Sequence, residues 1–240
     1  MKRILFFALA LAASSACRPA SGTLANMKAA DAFSEPQHIA LAEAVARGQN
    51  DKVEQLLKQG VDVNVRGKDG QSFLLWALIK DSKVSFKYLL QKGADPNLDL
   101  KGGTSVLSLC AIHESPEFLQ LALAHGGNPN LVDTRIQQTP IFKSILHRRM
   151  ENIHVLIAAG ADLNFRDRTG TTPMMDAASV NQYHIVYALL QAGADPTVKD
   201  NWGNTLTYFT QRGNLDPKHE LYQWREKVKA LLKERGMAVE

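Results

Sequence analysis

The sequence predicts an all-α chain of stacked, repeated helix pairs with protruding turns and a C-terminal capping helix. Three observations carry that expectation. Gly60, Gly93, Gly126, Gly160 and Gly193 stand 33, 33, 34 and 33 residues apart, and each opens nearly the same phrase, ending at Asn64, Asn97, Asn130, Asn164 and Thr197. A second series, Ser72, Ser105, Thr139, Thr172 and Thr205, runs in parallel with spacings of 33, 34, 33 and 33. Between the two lie apolar doublets, Leu56-Leu57, Leu89-Leu90, Ala122-Leu123, Leu156-Ile157 and Leu189-Leu190. A period of this length belongs to supersecondary units that bury their neighbours, so function must lie on a surface.

Each element follows from its residues. The Ser/Thr series marks helix N-caps, because the hydroxyl accepts an orphan backbone N–H; Pro140 and Pro173 follow as first helical residues with no N–H to lose. A short first helix starts there. The second helix is set by the doublets together with Val53, Phe86, Leu119, Ile153 and Val186, three residues ahead of each, which make one apolar face. The ruler glycine just beyond is its left-handed C′ cap. Turns rich in Asp, Asn and Gly join one pair to the next: 65–71, 98–104, 131–138, 165–171 and 198–204. Gly70, Gly103, Gly170 and Gly203 stand two residues before the next cap, where a tight turn needs positive φ. Residues 37–59 form a first pair without a leading turn. Asp216-Pro217 is expected to cap a last helix over 216–236 with Leu221, Trp224, Val228, Leu231 and Leu232 on one stripe.

The run Thr172-Pro173-Met174-Met175-Asp176-Ala177 and the recurring Gly-Ala-Asp phrases resemble the ankyrin repeat over roughly 37–213. The resemblance implies an ankyrin-repeat solenoid with a concave binding face. Gln137 replaces the turn glycine in a longer third turn, Gly67 and Leu100 replace the aspartate seen at Asp133, Asp167 and Asp200, and the family's histidine is absent, its places held by Leu75, Ser108, Phe142, Met175 and Tyr208.

The N-terminus bears on compartment. Lys2-Arg3, the apolar run 4–13 and Ser14-Ser15-Ala16 have the layout of a secretory signal, too short for a membrane span. Ser14 to Cys17 resembles the bacterial lipobox, which implies lipidation of Cys17 and anchoring in the periplasm. Ser14 stands where leucine is commoner, so simple cleavage after Ala16 is the competing expectation. Residues 17–36 are then a lipidated N-terminus and flexible tether, and 37–240 the repeat domain.

The signal carries two of the 28 basic residues and none of the 24 acidic ones, which leaves a near-neutral chain without a nucleic-acid signature. Cys110 occupies the small-residue position of a first helix, equivalent to Ala77 and Ala177, and reads as a buried inert thiol. No metalloprotease, nucleophile-elbow, phosphate-loop or paired-cysteine motif is present, and the seven histidines are scattered. The expectation is no enzyme, no cofactor, no metal and no small-molecule substrate.

What remains is a protein-binding surface of turn tips and first-helix ends. Arg66, Lys68, Lys101, Arg135, Arg166, Arg168 and Lys199 stand on the tips and favour an acidic partner. Asp133, Asp167 and Asp200 are expected to fold back onto their own turns. Ile79, His113 and His147 lie at first-helix ends, and Trp202 holds a tip position where the repeat needs no aromatic. Trp76 is expected in inter-repeat packing and Trp224 in the core of the cap. The whole chain resembles the immunity proteins paired with type VI secreted phospholipase D effectors, which implies an exported inhibitor that covers its toxin. Two other roles fit the same residues: a periplasmic accessory protein for an oxidative-stress enzyme, and a structural envelope adaptor.

Overall fold

The computed structural model describes residues 26–211 and 215–239. The signal, Cys17 and the tether before residue 26 lie outside the described residues. The chain divides into two compact units, Met1–Asn128 and Pro129–Glu240.

The N-terminal unit holds α1 (Ala29–Ala32), α2 (Pro36–Ala46), α3 (Asn50–Lys58), α4 (Phe73–Ile79), α5 (Lys83–Gln91), α6 (Val106–Cys110) and α7 (Glu117–Ala124). A two-stranded antiparallel hairpin, β1 (Asp99–Leu100) and β2 (Thr104–Ser105), pairs Asp99 with Ser105 and Leu100 with Thr104. The C-terminal unit holds α8 (Pro140–Leu146), α9 (Met150–Ala158), α10 (Pro173–Ser179), α11 (Tyr183–Gln191), α12 (Leu206–Gln211) and α13 (Glu220–Glu234). Within each unit, first helices pack on neighbouring first helices and on their own second helix. The described chain is thus a succession of helix pairs.

The two residue series do the work expected of them. The hydroxyls of Ser72, Ser105 and Thr172 accept the N–H groups of Leu75, Ser108 and Met175. Thr139 holds the same place without a side-chain cap bond, and Pro140 begins the helix. All five ruler glycines have φ between 81° and 96°, and a Cβ on any of them would meet open space, so it is the backbone conformation that selects glycine. Gln137 reaches φ 56° without being glycine, its Nε2 donating to the Thr134 carbonyl at 3.1 Å.

Three expectations are corrected. Packed structure begins inside the span assigned to the tether: Phe33 is fully buried, stacked on Phe73 at 4.7 Å and edge-on to Trp76 at 6.2 Å. A Cβ on Gly67 would sit 2.4 Å from the Ala32 carbonyl, so this turn gives up its aspartate for a close approach to the N-terminal segment. The last helix starts at Glu220, not at Asp216; His219 caps it, Nδ1 accepting the Leu221 N–H at 3.1 Å, while Asp216 closes a turn by accepting the Lys218 N–H. Trp224 is only half-buried, with Lys227 over its ring at 4.1 Å and Tyr187 beside it at 5.7 Å; Val228 and Leu232 are the fully buried residues of that stripe.

Trp76 is buried between pairs, its indole N–H donating to the Ala42 carbonyl of α2 at 2.8 Å. Cys110 is fully buried, and burial pushes its thiol far above the ordinary range, which leaves it without nucleophilic character at neutral pH.

Candidate protein-interaction surface

The tips of the C-terminal unit are built around three inward-turned carboxylates. Asp133 accepts the Arg135 and Ile136 N–H groups and the Lys143 ammonium, the last at 2.8 Å. Asp167 accepts from the Thr169 N–H and hydroxyl and from the Thr171 N–H. Asp200 accepts the Trp202 N–H at 2.9 Å and the Asn204 N–H at 2.8 Å. Burial alone would raise the Asp133 and Asp200 carboxyls; for Asp133 the Lys143 contact and turn N–H groups outweigh it, for Asp200 the Asn204 side chain and turn N–H groups do, and both end below the ordinary range. The acids are therefore spent inside the turns, and the cations face outward.

Arg135, Arg166, Arg168 and Lys199 are all exposed. Two of them also brace adjacent tips, a role not foreseen from sequence. Arg168 Nη2 donates to the Arg135 carbonyl at 3.0 Å, and Arg166 Nη2 to the Asn201 carboxamide at 3.0 Å. Asn201 completes the brace, its N–H donating to Thr169 and its Nδ2 to Arg168. At the end of this braced row stands Trp202, 71% exposed, its backbone fixed by Asp200 and its indole touching no other ring among the described residues. A large apolar side chain held on a rigid turn is the costly kind of exposure that a partner removes.

In the N-terminal unit the sequence-selected residues are more engaged. Lys68 Nζ donates to the Ala30 carbonyl at 2.7 Å, and Lys80, next to Ile79, reaches the Met27 carbonyl at 2.7 Å while lying over the Trp76 ring at 4.6 Å. Residues 27–33 thus lie along the face of α4 that carries Phe73, Trp76 and Lys80. Lys101 pairs with Asp69 at 3.4 Å, an exposed contact worth little, and Arg66 is exposed. Ile79 is half-buried. His113 is turned inward: Nδ1 accepts the Ser115 N–H at 3.1 Å and its ring stands edge-on to Phe118 at 4.7 Å. That places it in the architecture of the turn before α7.

In the C-terminal unit His147 is half-buried, and burial, with Arg149 and Lys143 nearby, holds its imidazole below the usual range. Spacing did not reveal Leu146, Val180 and Tyr208, which are 53%, 44% and 40% exposed. Tyr208 holds a position buried in Leu75, Phe142 and Met175, but its pair is the last of the stack. Among the described residues no group of three or more His, Cys, Asp or Glu is placed to hold a metal ion, and no helix is long and apolar enough to cross a membrane.

A sequence profile for ankyrin repeats, three copies, matches residues 9–100, 41–133 and 107–200. The chain belongs to the ankyrin-repeat family. Ankyrin repeats are protein–protein interaction modules, and the helix pairs described above are the repeat units of such a module. No curated protein matches the chain.

Proposed function

We propose that this ankyrin protein is a non-catalytic binding protein, exported to the periplasm and anchored there through Cys17, that acts as an immunity protein against a type VI secreted phospholipase D effector. The observation that carries the proposal is Trp202, presented at 71% exposure beside a row of outward cations whose neighbouring carboxylates are turned inward. This surface suits a protein partner with an acidic rim and an apolar seat for the indole. The layout of residues 1–17 supports export, since a toxin that attacks phospholipid from the periplasm has to be met there. Inhibition works by cover: a complex burying about 800 Å² on each partner keeps the toxin from the bilayer.

The test co-expresses a periplasm-directed phospholipase D effector with and without this chain. Protection of the cells, with a stable complex on size-exclusion chromatography, is the expected result. Equal killing in both strains and no complex would reject the immunity role.

A further inference from the structure

The first helices of the C-terminal unit have a second edge at the ends away from the tips, about 10 Å along an axis of seven residues. There the chain turns from first to second helix through a residue with positive φ. Corresponding turns use Gly48, Asp81 and Asn181, with φ of 69°, 52° and 59°; the turn between α8 and α9 uses Arg148, with φ 55°. In each, this residue donates its N–H to the carbonyl three residues earlier, the left-handed C′ position that glycine fills freely and Asp or Asn tolerate. Arginine has neither advantage. Its guanidinium is exposed and makes no hydrogen bond or ion pair among the described residues. The fold therefore bears backbone strain at Arg148 and gains no internal contact in exchange, and strain kept without structural return marks a functional position.

The neighbourhood gives that position a chemistry. Leu146, two residues earlier, is 53% exposed, and Val180, at the matching turn after α10, is 44% exposed. Helices α8 and α10 pack side by side, which puts both turns on one edge. The edge carries two adjacent cations, Arg148 exposed and Arg149 half-buried; His184 on α11 is depressed by burial, with Glu220 of α13 opposing and Arg148 adding to the depression. Arg148 is thus felt across two consecutive pairs.

We propose that Leu146, Arg148 and Val180 form a second contact edge, which takes an acidic segment of a partner protein whose apolar side chains cover the two aliphatics. Charge complementarity selects the acid, and the family's use of protein partners selects a polypeptide. An anionic bilayer is the poorer occupant, since membranes are recognised by clusters of about 4 to 8 Lys/Arg, and here Lys143 is already committed to Asp133. The proposal rests on the chain binding a protein and not on which protein that is.

The experiment uses the full chain, a fluorescein-labelled peptide of alternating Glu and Leu, its Lys-Leu counterpart, and phosphatidylglycerol vesicles. Anisotropy at low salt should show binding of the Glu-Leu peptide and not of the Lys-Leu peptide. Arg148→Gly should weaken it about tenfold while melting at or above the wild-type temperature, and Lys87→Ala, an exposed cation of α5, should leave it unchanged. Equal binding by wild type and Arg148→Gly, an equal loss in Lys87→Ala, or Arg148-dependent capture by vesicles without peptide binding overturns the proposal. Failure to protect against the effector with the peptide result intact counts against the immunity role alone.

Discussion

The carboxamide of Asn97 ties its turn to the end of the next helix pair: Nδ2 donates to the Gly126 carbonyl at 2.8 Å and Oδ1 accepts the Asn128 N–H at 2.8 Å. Asn64 makes the same clamp with Gly93 and Asp95, and Asn130 with Gly160 and Asp162. Thr197 ends the series. Its hydroxyl donates to the Asp195 carboxylate of its own turn at 2.7 Å. The asparagine ruler is thus a repeat-to-repeat coupling written into the sequence.

Asn97→Ala removes two solvent-exposed hydrogen bonds and should cost about 1 kcal/mol. Because the clamp joins neighbouring pairs, urea unfolding should also become less cooperative. An unchanged midpoint and slope would show that the clamp carries no coupling.

Lys143 and Asp133 form a pair at 2.8 Å in which the carboxylate is buried. Lys143→Met strands that charge and should destabilise by about 3 kcal/mol, while Lys143→Met with Asp133→Asn should recover part of the loss. Asp133 titrates below its ordinary value in the folded chain, so its contribution is present above the unfolded value of about 3.9 and is lost as pH falls below that. Thermal melts at pH 7 and pH 3 check both statements.

Asp176 on α10 behaves in the opposite sense. Burial, reinforced by Asp167, raises its carboxyl to about 6, and among the described residues no hydrogen bond or ion pair holds the side chain. Between about pH 4 and 6 the folded chain binds more protons than the unfolded one, so this group's penalty grows as pH rises through that window. Asp176→Asn should stabilise by about 1 to 2 kcal/mol at pH 7.5 and by little at pH 4. Urea midpoints at the two pH values decide it.

Most of the helix pairs were legible because caps, doublets and ruler glycines are local chemistry with a fixed period. The C-terminal cap was less so. Apolar spacing pointed to Trp224, yet its size and polar N–H leave it half-outside, bonded to Glu220 at 3.2 Å, while Arg225 is buried against Tyr222. Phe33 lay in a stretch whose small polar composition read as tether, and only the contact with Phe73 and Gly67 shows why it is ordered. At the surface, sequence found the outward cations and Trp202, but not the Arg168-to-Arg135 brace or the exposure of Leu146, since both depend on neighbours about one repeat away.

The most direct test of the account is the dissociation rate of the effector complex, measured by surface plasmon resonance for wild type and Trp202→Ala. If Trp202 anchors the partner, the variant should dissociate about thirtyfold faster, a loss of roughly 2 kcal/mol, with its melting temperature unchanged. Identical dissociation from an equally stable variant would contradict the assignment of binding to this tip.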